Sequence, residues 1–247
     1  MIRLFASDVD GTLLPTGKRE LDPSITASIR RTLDRGIKGA IASGRSRASL
    51  ERLFGSASGE LYFISYDGAL CTQGKKTIFS RPIDKESLSV FFAYAKATLI
   101  DAVFCGSESC YSVGGSAARL FERDGEKVEA VLSIYDIKEP IYKISVLGGA
   151  EALRGETRTR RIDGSSAWSE FVSADVNKGT ALSYLQLKLG MSAFDTAVIG
   201  NGEGDIPMLK HASLRAKLPD ASEKYSAAAV ELFGDAKEFF DLLVTRG

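Results

Sequence analysis

One histidine, one tryptophan and three cysteines are few for 247 residues, and the 32 basic and 32 acidic side chains cancel. A lone histidine, His211, argues against a Ser–His–Asp triad and against a zinc site built from several histidines. Cys71, Cys105 and Cys110 form no C-x-x-C pair. Their odd number, without a secretory segment, points to reduced thiols in a cytoplasm, acting as small buried side chains. Zero net charge speaks against a nucleic-acid-binding surface. No apolar run reaches the roughly 18 residues needed to span a bilayer. The stretch Met1–Ser7 is too short for a signal peptide and meets Asp8 at once. The expected setting is therefore cytoplasmic, with neither nucleic acid nor membrane as partner. What is present, 44% apolar and 26% charged residues, is ordinary for a globular protein and excludes a disordered chain.

Four short apolar runs share one layout. Ile2–Ser7 leads into Asp8, Ile37–Ala42 into Ser43-Gly44-Arg45, Leu61–Ser65 into Tyr66-Asp67-Gly68, and Thr196–Ile199 into Gly200-Asn201-Gly202. Runs that are apolar on both faces and end in turn residues read as buried parallel strands. Helical periodicity lies between them. Ile25, Ile29 and Leu33 repeat over Ser24–Arg35, and Leu182, Leu185 and Leu189 share one face over Gly179–Leu189. The fold class expected is α/β, a Rossmann-like parallel sheet with right-handed crossovers.

The middle of the chain has a different grammar. A helix over Lys85–Ala97 is followed by candidate strands at Ala102–Cys105 and Cys110–Val113, then by a short helix near Ala117–Arg123. Ile141–Leu147 alternates like a half-buried strand. Thr157–Ile162 and Ala167–Val172 read as a closing hairpin around Asp163-Gly164. This α+β material is placed at 82–174, as a domain inserted into a core of 1–81 and 175–247.

In an open parallel sheet, ligands sit beyond the carboxyl ends of the strands, where the four turn segments would converge. Asp8 and Asp10 repel each other at the end of a buried strand, an arrangement that stability alone does not favour. A divalent cation would justify the pair, since Mg2+ takes oxygen ligands and shares them with phosphate. A carboxylate can also attack phosphorus. Lys178 opens a helix, where a cation is disfavoured unless an anion compensates it. Asp205, just before Ile206-Pro207, reads equally well as a helix cap and as a functional acid. Gly200–Asp205 is not a dinucleotide fingerprint, because Asp205 stands where the third glycine is required.

Together these segments resemble the haloacid-dehalogenase superfamily, in its Cof-type sugar-phosphatase branch. The resemblance runs in order through Asp8-Val9-Asp10-Gly11-Thr12-Leu13-Leu14, Ile41-Ala42-Ser43-Gly44-Arg45, Asn177-Lys178-Gly179-Thr180-Ala181-Leu182 and Gly200–Leu209. The inserted segment lies where that branch carries its α/β cap. The resemblance implies an Mg2+-dependent phosphatase acting on a small phosphorylated metabolite, a sugar phosphate, through an aspartyl-phosphate. Asp8 would be the nucleophile and Asp10 the general acid and base. Ser43 would hydrogen-bond the phosphoryl oxygens, and Lys178 would neutralise nucleophile and phosphate together. Thr12, Gly44, Arg45 and Asp67 would line the phosphate and substrate site. Asp8, the Asp10 carbonyl, Asn201 and Asp205 would hold the metal. Alternative readings are a phosphohexomutase of the same superfamily and a catalytically weak protein that binds a phosphorylated ligand.

The chain departs from the branch at telling places. Asn201 replaces the first Asp of the fourth motif, and Gly204 replaces its Asn. Asp67-Gly68-Ala69 stands for Asn-Gly-Ala, and Pro219-Asp220-Ala221 for Gly-Asn-Ala. Losing the charge at Asn201 is expected to weaken the metal site unless Asp205 takes over as ligand.

Overall fold

A computed structural model describes residues 1–148, 150, 153, 155–162 and 168–246. The chain divides into two compact units, one formed by Met1–Ser80 with Asn177–Gly247 and the other by Arg81–Val176.

The first unit is built on β1 (Leu4–Ser7), α1 (Pro23–Asp34), β2 (Lys38–Ala42), α2 (Arg47–Phe54), β3 (Tyr62–Ser65), β4 (Leu70–Gln73) and β5 (Lys76–Ser80). After the second unit, whose helices and strands take the intervening numbers, it continues with α5 (Lys178–Leu189), β12 (Thr196–Gly200), α6 (Ile206–Leu209) and β13 (Leu214–Lys217). It closes with α7 (Glu223–Ala228), β14 (Glu231–Leu232) and α8 (Ala236–Arg246). Its eight strands lie in the order β14-β13-β12-β1-β2-β3-β4-β5. The six from β14 to β3 run parallel, and β4 and β5 add an antiparallel edge hairpin. That hairpin and the short strands β13 and β14 extend the sheet beyond the four runs legible in the sequence.

Both faces of this sheet are covered, which is why its central strands are apolar throughout. Along β1 the pleat sends Leu4 and Ala6 to one face, with Leu182 and Leu185 of α5, and Phe5 to the other, with Ile29 of α1 and Phe240 of α8. The Phe5 and Phe240 rings meet edge to face at 5.1 Å. A fully buried side chain of this size contributes roughly 2–3 kcal/mol, so the β1 backbone beneath the site is firmly held. Helix starts follow capping chemistry. The Asp22 carboxylate accepts from Ser24 N at 2.8 Å ahead of Pro23, and the Asn177 side chain accepts from Thr180 N at 2.9 Å. These caps begin α1 and α5 one residue earlier than the periodicity places them.

The second unit contains α3 (Lys85–Thr98), β6 (Ala102–Cys105), β7 (Cys110–Val113), α4 (Ser116–Arg123), β8 (Val128–Ala130), β9 (Lys143–Leu147), β10 (Thr159–Ile162) and β11 (Trp168–Ser173). Its six strands lie in the order β10-β11-β9-β6-β7-β8 and pair antiparallel, except for β7 with β8. Phe91 and Phe92 of α3 pack on Phe171 and Phe104 of the sheet, with ring centroids 4.8 and 5.9 Å apart. β10 and β11 pair antiparallel with Ile162 opposite Glu170; the turn expected at Asp163-Gly164 lies outside the described residues. The mixed α/β class expected from the sequence is the class observed, with its parallel sheet extended at both edges. Among the described residues no helix is long and apolar enough to cross a membrane.

Candidate active site

The carboxyl ends of β1, β2, β3 and β12 lie side by side in the first unit. Asp8 continues β1, donating its N–H to the Ile199 carbonyl at 3.1 Å. Val9 then accepts the N–H groups of Thr12, Leu13 and Leu14 at 2.9–3.1 Å. This tight reversal requires the positive φ of Gly11, +81°. A side chain at Gly11 would also collide with Asn201, whose Nδ2 lies 2.0 Å from the position of a β-carbon there.

Lys178 is the hinge-pin of the electrostatics. It stands at the first turn of α5 and is buried, and its Nζ donates to Asp8 Oδ1 at 2.6 Å and to Asp205 Oδ1 at 2.7 Å. The anion demanded by a cation at a helix start is thus supplied twice. α5 comes close enough because residue 179 is glycine: a β-carbon there would lie 2.4 Å from the Pro207 carbonyl oxygen. Asp205 does not cap α6 with its side chain. Its Oδ2 instead accepts from Asn201 N at 3.2 Å and Gly202 N at 3.0 Å. A β-carbon at Gly200 would lie 2.9 Å from this carboxylate, so that glycine makes its seat.

The acids are uneven in environment. Burial pushes the Asp8 carboxyl up from 3.8 to about 6; Lys178 opposes this and Asp205 adds to it. Burial works against the Lys178 ammonium too, but Asp8, Asp205 and Asp67 outweigh it and hold its pKa above the ordinary lysine range. Tyr225 was not singled out by any sequence pattern. It is fully buried in α7 and donates its hydroxyl to the Ala216 carbonyl at 3.0 Å. Burial raises its pKa, and the charges of Asp205 and Asp8 raise it further.

The other expected site residues distribute as follows. Thr12 Oγ1 donates to Asp8 Oδ2 at 3.3 Å. Ser43 is buried after β2 and its Oγ accepts from Arg45 N at 3.2 Å. Arg45 grips Asp10 with two bonds, Nε to Oδ2 at 2.9 Å and Nη2 to Oδ1 at 2.7 Å. The Asp10 side chain is 56% exposed, so the pair contributes at most about 1 kcal/mol to stability, but it fixes the carboxylate in place. Asp67 donates its N–H to the Ser43 carbonyl at 3.1 Å, and its Oδ2 lies 2.9 Å from the position of a β-carbon on Gly44. The side chains of the four residues assigned to a metal have different partners. Asp8 and Asp205 share Lys178, Asp10 is turned to Arg45, and Asn201 lies against Gly11. Among the described residues no group of three or more acidic, histidine or cysteine side chains is arranged to hold a metal ion.

The pH dependence of stability follows from Asp8. A raised pKa means that the folded protein holds the proton more tightly than the unfolded chain. The contribution is therefore present below the unfolded pKa and is lost as pH rises through about 6. The shift corresponds to roughly 3 kcal/mol. In chelator-treated protein, the stability advantage of wild type over Asp8→Asn should fall by about that amount between about pH 4 and pH 7. Denaturant titrations of both proteins across that range test this. A constant difference would mean that Lys178 fully compensates the carboxylate.

A family model for the haloacid dehalogenase-like hydrolases matches residues 5–238. The chain is 22% identical over 242 residues to the 5-amino-6-(5-phospho-D-ribitylamino)uracil phosphatase YbjI of Escherichia coli K12, covering 92% of this chain and 89% of that protein. It is 25% identical over 248 residues to the chloroplastic endoribonuclease YBEY of Arabidopsis thaliana, covering 90% of this chain but only 42% of the longer protein. Among solved structures, the HAD subclass IIB sugar phosphatase BT4131 superposes with a TM-score of 0.80 at 19% identity, over 97% of this chain and 98% of that one. That likeness is one of fold.

Proposed function

Because the chain belongs to the haloacid dehalogenase-like hydrolase family, we propose that it hydrolyses the phosphate monoester of a small metabolite, a sugar phosphate, through an aspartyl-phosphate. The observation that carries this reading is the buried Asp8–Lys178–Asp205 cluster at the end of β1. It pairs an acid that can attack phosphorus with a cation that can neutralise the phosphoryl group. Asp8 Oδ forms a bond to phosphorus while the ester oxygen leaves, and Asp10 delivers a proton to that oxygen. Asp10 then takes a proton from the water that attacks the aspartyl-phosphate, so that acid and base alternate on one side chain. Ser43 donates its hydroxyl to the phosphoryl oxygens, and the Arg45 fork keeps Asp10 oriented. Positioning and charge neutralisation are what phosphoryl transfer chiefly requires.

The cluster is chemically suited to Mg2+. Two buried carboxylates share one ammonium, and burial first, then the charge of Asp205, raises the Asp8 pKa in spite of Lys178. Mg2+ needs only one or two carboxylates and keeps several waters, so Asp8 and Asp205 would suffice to hold it, with Asp10 left to Arg45. When bound, the ion would neutralise charge on the transferring phosphoryl group.

The test is a panel of phosphorylated metabolites incubated with protein and Mg2+, with release of inorganic phosphate as readout. Sugar phosphates are expected to be turned over and to yield stoichiometric phosphate and free sugar. Conversion to an isomeric phosphate without phosphate release would identify a mutase instead. Tight binding without turnover of any compound would mark a binding protein.

A further inference from the structure

Asp67 is the third acid in the field of Lys178, and its backbone is unusual. Asp67 and the preceding Tyr66 both occupy the left-handed region, with φ of 53° and 52°. Such residues cost of order 1 kcal/mol or more each and persist only where their surroundings fix them. Here the surroundings do so from two sides. On one side, Tyr66 N donates to the Arg45 carbonyl at 3.2 Å and Asp67 N to the Ser43 carbonyl at 3.1 Å. On the other, Gly68 is pressed against the start of α5: a β-carbon there would lie 2.1 Å from the Asn177 carbonyl oxygen and 2.9 Å from Lys178 N. The turn is wedged between the Ser43–Arg45 loop and Lys178 and has no room to swing aside. Its half-buried carboxylate lies against Gly44. Its countercharge is the Lys178 ammonium, whose field it shares with Asp8 and Asp205.

The charges near the nucleophile are then Asp8, Asp205 and Asp67 against Lys178, with Asp10 and Arg45 cancelling each other. An anion fixed beside the Ser43–Arg45 loop repels a phosphate that arrives alone and attracts a cation. From this geometry we infer that Asp67 is a specificity-determining residue. Its charge weakens the binding of free phosphate and strengthens that of a divalent cation, so that the pocket takes a phosphoryl group together with a cation and releases bare phosphate readily. The inference rests on the proposed reading of the Ser43–Arg45 loop as the phosphoryl site.

Asp67→Asn removes the charge at nearly constant volume, and Asn tolerates the left-handed conformation. Binding of inorganic phosphate in chelator, and of Mg2+ without phosphate, is measured by calorimetry in both proteins. An exposed acid in α1 serves as a control for net charge, through Asp34→Asn. For Asp67→Asn the dissociation constant for phosphate is expected to fall about tenfold or more and that for Mg2+ to rise by a similar factor; Asp34→Asn should move neither. A loop merely loosened by the substitution would weaken both ligands, and that result would overturn the inference. Equal phosphate affinity in wild type and Asp67→Asn would also overturn it while leaving the loop a phosphate site. No detectable phosphate binding by Asp67→Asn would overturn both the inference and the reading on which it rests.

Discussion

Asp8→Asn is expected to lower kcat by at least about four decades, because loss of a covalent nucleophile leaves only the contributions of binding and charge stabilisation. The substitution is nearly isosteric: the amide oxygen can still accept from Lys178, and the amide nitrogen, in the place of Oδ2, can donate to the Thr12 hydroxyl. Lys178 would then face a single full negative charge, Asp205, at 2.7 Å. The fold should therefore survive, with unchanged circular dichroism and cooperative unfolding. Phosphate release is measured on the best substrate from the metabolite panel. A correctly folded variant that keeps more than about a tenth of wild-type kcat would remove Asp8 from the nucleophile's role.

How far such a site can be read from sequence depends on what kind of interaction builds it. Asp8 and Asp10 were conspicuous because repulsion at a strand end needs a cause. Lys178 was conspicuous because a cation at a helix start needs an anion. Both are violations of local rules, and violations are visible in one dimension. The partners are not: Asp8 lies 170 positions from Lys178, and only the packing of α5 on the face of β1 brings the two together. Arg45 and Asp10 were both expected at the site, but their mutual grip depends on the Gly11 reversal, which sets where Asp10 points. The left-handed pair Tyr66-Asp67 left no trace in the sequence, since a tyrosine there contradicts the usual glycine or asparagine. It is imposed by the close approach of Gly68 to Asn177.

The same distinction holds for the fold. β1, β2, β3 and β12 are legible because burial on both faces makes them continuous apolar runs. β4 (Leu-Cys-Thr-Gln) and β13 (Leu-Arg-Ala-Lys) are four residues each, and β14 is two. None of the three is a continuous apolar run, and no periodicity is measurable over so few positions. They are strands because a neighbouring strand offers an unpaired edge, which is tertiary information. The antiparallel pairs of the second unit were legible at Ala102–Cys105 and Cys110–Val113, where four-residue apolar runs flank the turn segment Gly106–Ser109.

Lys178→Met should damage stability and turnover by different routes, and a second substitution should separate them. Removing the ammonium leaves Asp8 and Asp205 buried together without a cation. Breaking a buried pair by deleting one partner costs about 3–5 kcal/mol, much of it the penalty of the charges left behind. Those charges can be relieved by protonation, so the deficit should be largest at neutral pH and shrink as the medium is acidified through the raised pKa of Asp8. Lys178→Met combined with Asp205→Asn removes one of the stranded anions while retaining an oxygen that can accept from the N–H groups of Asn201 and Gly202. The double variant is expected to recover a large part of the lost stability in denaturant titrations at pH about 7. Its kcat should stay at least about a hundredfold below wild type, because no cation remains to meet the charge on the phosphoryl group. If the double variant regains turnover along with stability, the ammonium serves only to neutralise the buried acids. If stability stays low while the fold is native-like at acid pH, the Asp205 seat, rather than the stranded charge, is what the lysine supports.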